Sequence, residues 1–300
     1  MTEWLISLEG TEMGHRVALG LALLAAVLHA IFGALQKGEH DPWLSRGAID
    51  FNYGVMAAPF ALFVVPWPEP HMWPIFFGMF VIHIGYKAMQ AQTYVLGAYT
   101  VVYPVVRGMG PLFTVLGAGL VFGEHFAFGQ WIGVVVLLCG IFGLGLYNLM
   151  YLETNRETLK AALLMATGTG MFVALYTTYD AYGIRATANP FTFLAWFFFI
   201  DSLAIPPYAA WRYSKMQVKP RLKPLMKRGI LGAFVAFFSF GSIMMATRLD
   251  SVGEAAVLRE TSTVFAALIG WLVLGEKVGP RRLILMSLIA VGAVIVEMNG

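Results

Sequence analysis

The chain has 300 residues, of which 59% are apolar and 12% charged, with a net charge of +3. Soluble domains are about 45–50% apolar even when glycine is counted, so this composition, with a mean hydropathy of +0.72, describes an integral membrane protein. The small positive balance gives no reason to expect a nucleic-acid partner. A single cysteine, Cys139, excludes a disulfide framework and a cysteine-based metal centre, and its apolar surroundings predict a buried small hydrophobe.

Residues 1–16 are polar and mildly acidic and read as an N-terminal segment, not a signal peptide. A membrane-spanning helix needs about 20 mostly apolar residues. Ten runs satisfy this, near 17–36, 48–66, 73–94, 98–121, 129–149, 160–182, 190–211, 229–247, 253–274 and 281–298. Their short connections predict antiparallel neighbours. The exception is "RYSKMQVKPRLKPLMKR" at 212–228, a basic loop with two prolines. Lysine and arginine favour the cytoplasmic face. With ten spans, one face collects fourteen of them, including Lys37, Arg46, Arg156, Lys160, Arg212 and Arg281, and the other only Arg16, Arg185 and Arg248. Both termini are therefore expected in the periplasm of a multi-pass bacterial inner-membrane protein.

The chain also repeats itself. "LVFGEHFAFGQW" (120–131) lies over "LVLGEKVGPRRL" (272–283) at an offset of 152, which sets Gly123 and Glu124 on Gly275 and Glu276 and Arg107 on Arg259. Upstream, at an offset of 140, "HAIFGALQK" (29–37) lies over "TGMFVALYT" (169–177), and Pro66 over Pro206. Two five-helix halves follow, 17–149 and 160–300, joined by 150–159. Because five is odd, the second half enters from the opposite side, and inverted repeats of this kind place a substrate site at their interface near the bilayer midplane.

Charges inside a span are expensive and call for a reason. Arg107 lies roughly 13 Å into the fourth span, between Pro104 and Pro111, and Arg259 is its repeat mate. A guanidinium stays charged and matches a carboxylate or phosphonate. The pair reads either as two anion clamps or as structural arginines bonded to carbonyls or to Glu254 and Glu260. Polar stripes recur at helical spacing. They are His83, Lys87, Gln90 and Tyr94; Tyr99, Tyr103, Arg107 and Thr114; Thr169, Tyr176 and Asp180; His29 and Gln36; and Ser239 and Ser242. Lipid excludes them, so they are expected to line a shared inner cavity, with Lys87, His83, Tyr99, Tyr103, Tyr176 and His29 as substrate contacts beside the two arginines. His83 and Asp180 are also candidate proton-coupling groups. Asp180 could instead pair with Arg185, and Asp201 with its own backbone or a partner charge. Glu124 and Glu276 read as acidic N-terminal residues of the next helix after a glycine C-cap. Pro104 and Pro111 predict a bend in the fourth span that the second half lacks, since Ala256 and Thr263 stand in their places.

The two "GE" helix ends, the duplicated halves, "YPVVRGMGPL" (103–112), "LLAAVLHAIFGALQK" (23–37) and "ALYTTYDAYGIR" (174–185) resemble the drug/metabolite transporter superfamily in its ten-helix EamA-type branch. That resemblance implies an all-α integral membrane protein of two inverted five-helix repeats, working as a secondary transporter by alternating access. No cofactor, metal centre or enzyme is expected, since no nucleophile–base pair, phosphate loop or metal-spaced cluster appears. The expected cargo is a small polar metabolite such as an amino acid, organic anion or phosphonate-like solute, with proton-coupled export as one mode. The alternative is a flippase for a lipid-linked or amphiphilic substrate. The partners are that solute, the bilayer and, if transport is coupled, protons; a monomer and a homodimer both remain open.

Overall fold

A computed structural model describes residues 2–36, 41–97, 99–151, 156–272 and 279–300. The elements, in order, are α1 (Thr2–Ser7), α2 (Glu12–Gln36), α3 (Pro42–Pro59), α4 (Met72–Leu96), α5 (Tyr99–Phe122), α6 (Phe128–Tyr151) and α7 (Arg156–Ala186). They continue as α8 (Pro190–Asp201), α9 (Ile205–Lys215), α10 (Leu222–Leu249), α11 (Val252–Arg259), α12 (Ser262–Leu272) and α13 (Pro280–Met298). No strand occurs among the described residues. Among the described residues, eight segments are long and apolar enough to cross a membrane. The α11–α12 pair and α13 take the ninth and tenth expected places. Outward-facing apolar side chains such as Phe63, Leu120 and Phe128, each more than 80% exposed, suit hydrocarbon rather than water.

Several boundaries differ from the expectation for local reasons. The loop at 212–228 shrinks to 216–221, because α9 runs to Lys215 and α10 begins at Leu222. Pro224 fits the first turn of α10, where its missing N–H would be unpaired anyway. The seventh span divides into α8 and α9 around residues 202–204. Pro206 and Pro207 cannot donate across that gap, and Ser202 Oγ donates to the Phe199 carbonyl at 2.6 Å. Ahead of the third expected span, Pro59 ends the α3 ladder and the chain continues as a π turn, Phe60–Val64. Cys139 is exposed on α6, not buried.

The fourth span and its repeat mate differ in continuity. α5 runs as one helix with Pro104 and Pro111 inside it, while its repeat mate is the span that breaks, between Arg259 and Ser262. There Thr261 Oγ1 donates to the Leu258 carbonyl at 2.7 Å, the side-chain competition that loosens a helix. Glu124 also departs from expectation. Gly123 does end α5 in the left-handed region at φ +70°, where only glycine is unstrained. The carboxylate then caps α11 across the repeat, not α6. It accepts from the Val252 amide at 2.8 Å, the Gly253 amide at 3.0 Å and Ser251 Oγ at 2.9 Å. Its counterpart Glu276 lies outside the described residues, as do Gly275 and Lys37.

Contacts between helices follow the repeat. α2 packs on α10 as α7 packs on α4, and α2 meets α11 and α12 as α7 meets α5. α3 touches α10 as α8 touches α4, while α6 against α13 and α3 against α8 and α9 map onto themselves. Exchanging each span with the one five places later maps these contacts onto one another, as an inverted repeat about a two-fold axis requires. At one such self-mapping contact the backbones nearly touch. A Cβ on Gly292 of α13 would lie 2.5 Å from the Leu137 amide nitrogen and 2.6 Å from the Gly133 carbonyl oxygen of α6. Small residues permit this close approach between helices in lipid.

At the cytoplasmic end assigned by charge, Asp41 caps α3 and accepts from Arg212 of α9 at 2.6 and 2.9 Å. Burial pushes its carboxyl up. The Arg212 bonds and the amides of Leu44 and Trp43 outweigh that and hold it below the ordinary aspartate value.

Gly292→Val is expected to separate α6 from α13 and cost at least about 1–3 kcal/mol of stability. Thermal unfolding of the purified protein in detergent measures it, and an unchanged midpoint would refute the backbone contact.

Candidate functional site

Two charge networks lie buried between the halves. The first is assembled on α3, α4, α7 and α8. Lys87 of α4 donates to Asp50 Oδ2 at 2.6 Å, Asp201 Oδ2 at 2.9 Å, Tyr53 Oη at 3.2 Å and the Asp201 carbonyl at 3.3 Å. Asp50 also pairs with Arg46 at 2.7 Å, and Tyr53 donates to the Asp201 carboxylate. One turn up α4, His83 places Nε2 at 3.0 Å from Asp180 Oδ2 and Nδ1 at 3.6 Å from Asp201 Oδ1. Arg46, Asp50 and Tyr53 recur at i, i+4 and i+7, so α3 presents all three on one face. Asp201 is the last residue of α8, and the Lys87 ammonium sits at the helix end where carbonyls lack partners.

The second network gathers α2, α5, α11 and α12. Arg107 pairs with Glu260 through Nε at 2.7 Å and donates through Nη2 to Ser262 Oγ at 2.8 Å. The same nitrogen reaches the carbonyl of Arg259 at 3.5 Å. Arg107 Nη1 lies 3.2 Å from His29 Nε2. Arginine can only donate, so His29 must accept there and carry its proton on Nδ1. The Arg107 guanidinium also lies 5.9 Å from the Tyr103 ring centroid. Arg259 itself is only 3% exposed, and neither its Nε nor its Nη2 has a hydrogen-bond partner. A residue meeting its own repeat mate, as Arg107 meets Arg259, is what a two-fold axis produces.

Aromatic rings join the networks. Tyr176 lies 5.0 Å from His83, 4.8 Å from Tyr86 and 6.4 Å from Phe240, which stands 6.3 Å from His29. Among the other stripe residues, Thr93 and Thr169 share a bond at 2.8 Å. Gln90 donates to Tyr86 Oη at 2.7 Å, and Thr114 and Ser239 bond backbone carbonyls. The side chains of Tyr99 and Gln36 lie outside the described residues.

The structure brings His83, Lys87, Asp180 and Asp201 together in one network and Arg107, Arg259, His29 and Tyr103 in another, where the sequence reading expected one shared cavity. That reading missed Asp50, Tyr53 and the inward role of Arg46, which it counted as a surface charge. The i, i+4, i+7 spacing near the start of the second span was the available signal. Asp180 faces His83, not Arg185. Arg185 lies 3.6 Å from Glu124 and donates to the carbonyls of Thr247 and Asp250. With Arg248, which bonds Glu9 and the carbonyls of Ile184 and Thr187, it ties the periplasmic end assigned by charge.

A helical bundle with a lipid-compatible exterior and ion pairs buried between two repeated halves defines a multi-pass membrane protein with a polar interior. Residues 160–298 match the EamA-like transporter family. The chain therefore carries an EamA-like transporter domain, consistent with the drug/metabolite transporter superfamily and with a transporter rather than an enzyme. One solved structure, described simply as "Crystal structure of protein", superposes with a TM-score of 0.72 over 96% of this chain and 99% of that one. Its sequence identity is 18%, so the likeness speaks to the fold alone. No curated protein matches this sequence.

Removing one member of a buried ion pair strands the other, at a cost of about 3–5 kcal/mol. Arg107→Met and Glu260→Met should each destabilise on that scale. The double variant should lose less than their sum, by about 0.5–3 kcal/mol. Unfolding in detergent reads the cycle, and additive losses would contradict the pairing.

Proposed function

We propose that this chain is a secondary transporter carrying a small polar metabolite with an anionic group, such as an amino acid, organic anion or phosphonate-like solute. It crosses the bacterial inner membrane by alternating access between the halves 17–149 and 160–300, with both termini in the periplasm. The supporting observation is the guanidinium of Arg259, which is buried while two of its nitrogens have no partner. Arg107 has Glu260 at 2.7 Å, whereas Arg259 acts on Glu260 and Asp180 through its field and forms no ion pair within contact distance among the described residues. Buried polar groups are almost always hydrogen-bonded, and a guanidinium in a dry interior is matched best by a carboxylate or phosphonate.

The break between α11 and α12 strengthens this reading. Discontinuous helices supply ligand groups at the centre of many transporters, and Arg259 ends one half-helix. Thr263, at the start of the next, also has a buried hydroxyl without a partner. Arg107 then positions the break, while Tyr103, Tyr176 and His29 shape the space around the solute. Lys87 keeps its carboxylate partners and acts on the solute only through the overall field.

Purified protein in liposomes, preloaded with unlabelled solute and offered labelled glutamate, phosphoserine or leucine, tests the reading. Arg259→Gln should raise the KM for the anionic solute about tenfold or more, since a hydrogen bond to a charged group is worth about 1.5–3 kcal/mol. Arg259→Lys should fall between. Unchanged exchange in Arg259→Gln would overturn the anion site. A preference for cationic amines would reverse its charge logic, and scrambling of a labelled phospholipid without solute exchange would favour a flippase.

A further inference from the structure

The first network has a peculiarity of its own. Its permanent cations are Arg46 and Lys87, and its carboxylates are Asp50, Asp180 and Asp201. Three carboxylates face these two cations, all on side chains no more than 16% exposed, and the Arg259 guanidinium of the second network acts on Asp180 as well. The titratable group lodged between two of these carboxylates is His83.

The geometry of His83 points the same way. A neutral imidazole offers one N–H and one lone pair. Here both ring nitrogens face carboxylate oxygens, Nε2 towards Asp180 and Nδ1 towards Asp201. The Nε2 contact, at 3.0 Å, is a hydrogen bond, and the Nδ1 contact, at 3.6 Å, is an ion-pair distance. A proton on the imidazole places its charge between the two carboxylates, and a proton held on Asp180 serves the Nε2 contact equally. Asp180 Oδ1 is buried with no partner, so this carboxyl can hold the proton without breaking another bond.

The bonds cross the repeat interface. His83 and Lys87 belong to the first half, on α4, whereas Asp180 and Asp201 belong to the second, on α7 and α8. Alternating access separates surfaces of the two halves, so opening this contact exposes the His83–carboxylate pair to water and lets the proton leave.

Resting on the transport reading above, we infer that His83, held between Asp180 and Asp201, is the proton-binding site through which a transmembrane proton gradient drives the solute. The proton is bound while the halves are closed here and released to water when they part. No covalent bond changes, and one proton enters and leaves per cycle.

Protons alone serve as the probe. Proteoliposomes on a solid-supported membrane are given a step to mildly acidic pH without solute, and the displaced charge is recorded. The wild type should give a transient that His83→Gln and Asp180→Asn each reduce at least tenfold, with folding confirmed by monodisperse elution. Glutamate, phosphoserine or leucine exchange, whichever the wild type shows, should survive in these variants while gradient-driven accumulation is lost. A transient of wild-type size in both variants, or accumulation that persists in both, would overturn the proton site. Absence of exchange in the wild type would count against the transport reading alone, because the transient judges the proton site without any solute.

Discussion

A cation buried in a membrane protein must find oxygen atoms, and here the broken helices of the second half supply them. Lys87 reaches the Asp201 carbonyl at the end of α8. Arg107 reaches the Arg259 carbonyl at the end of α11. In both cases a continuous helix of the first half brings a positive charge to the C-terminal end of a half-helix. There the peptide dipoles concentrate negative charge and carbonyls lack partners. Carboxylates complete each arrangement, Asp50 and Asp201 for Lys87 and Glu260 for Arg107. The cations and the breaks therefore explain each other. Without the cations, the α8–α9 and α11–α12 junctions would leave open carbonyls in a dry interior. Without the breaks, the cations would lack part of their coordination.

This arrangement divides the interior into two regions of opposite tendency. One is rich in carboxylates and holds His83 between two of them. The other is rich in guanidinium, and its Arg259 has two nitrogens without a hydrogen-bond partner while its charge also acts on Asp180 of the first. Tyr176 and Phe240 lie between them. Since both networks are made of contacts between halves, binding at either changes the energy of the closed arrangement. A ligand shifts such an equilibrium only by its difference in affinity for the two states, and groups that pair only when the halves meet provide that difference.

Much of this was legible in the chain. Length and hydropathy defined the spans, because hydrocarbon allows few alternatives to a helix. The offset of 152 identified Arg107 and Arg259 as mates, and the structure brings them together. Polar stripes identified His83, Lys87 and Asp180 as inward-facing. The partners were harder to read, since pairing depends on which spans cross and sequence spacing reports only one helix at a time. Asp50 lies early in a span whose other charge, Arg46, resembled an ordinary membrane-edge residue. The break between α11 and α12 was not legible for a related reason. No proline marks the turn at Glu260 and Thr261, and the Glu260 side chain there pairs with Arg107 on another helix. Cys139 was read as buried because an apolar run looks the same whether it meets protein or lipid.

The central claim is that the surfaces now sealed around these networks part and become wet in turn from each side of the membrane. Thr177, adjacent to Tyr176 on α7, is 5% exposed and its hydroxyl has no partner. A cysteine placed there after Cys139→Ser would be shielded in the closed structure. Its reaction with a membrane-impermeant thiol reagent, applied separately to inside-out and right-side-out vesicles, is the most direct measurement. The account predicts slow labelling from both sides, each changed by a shift in pH. A residue that never reacts from either face, in protein confirmed to be folded, would contradict it.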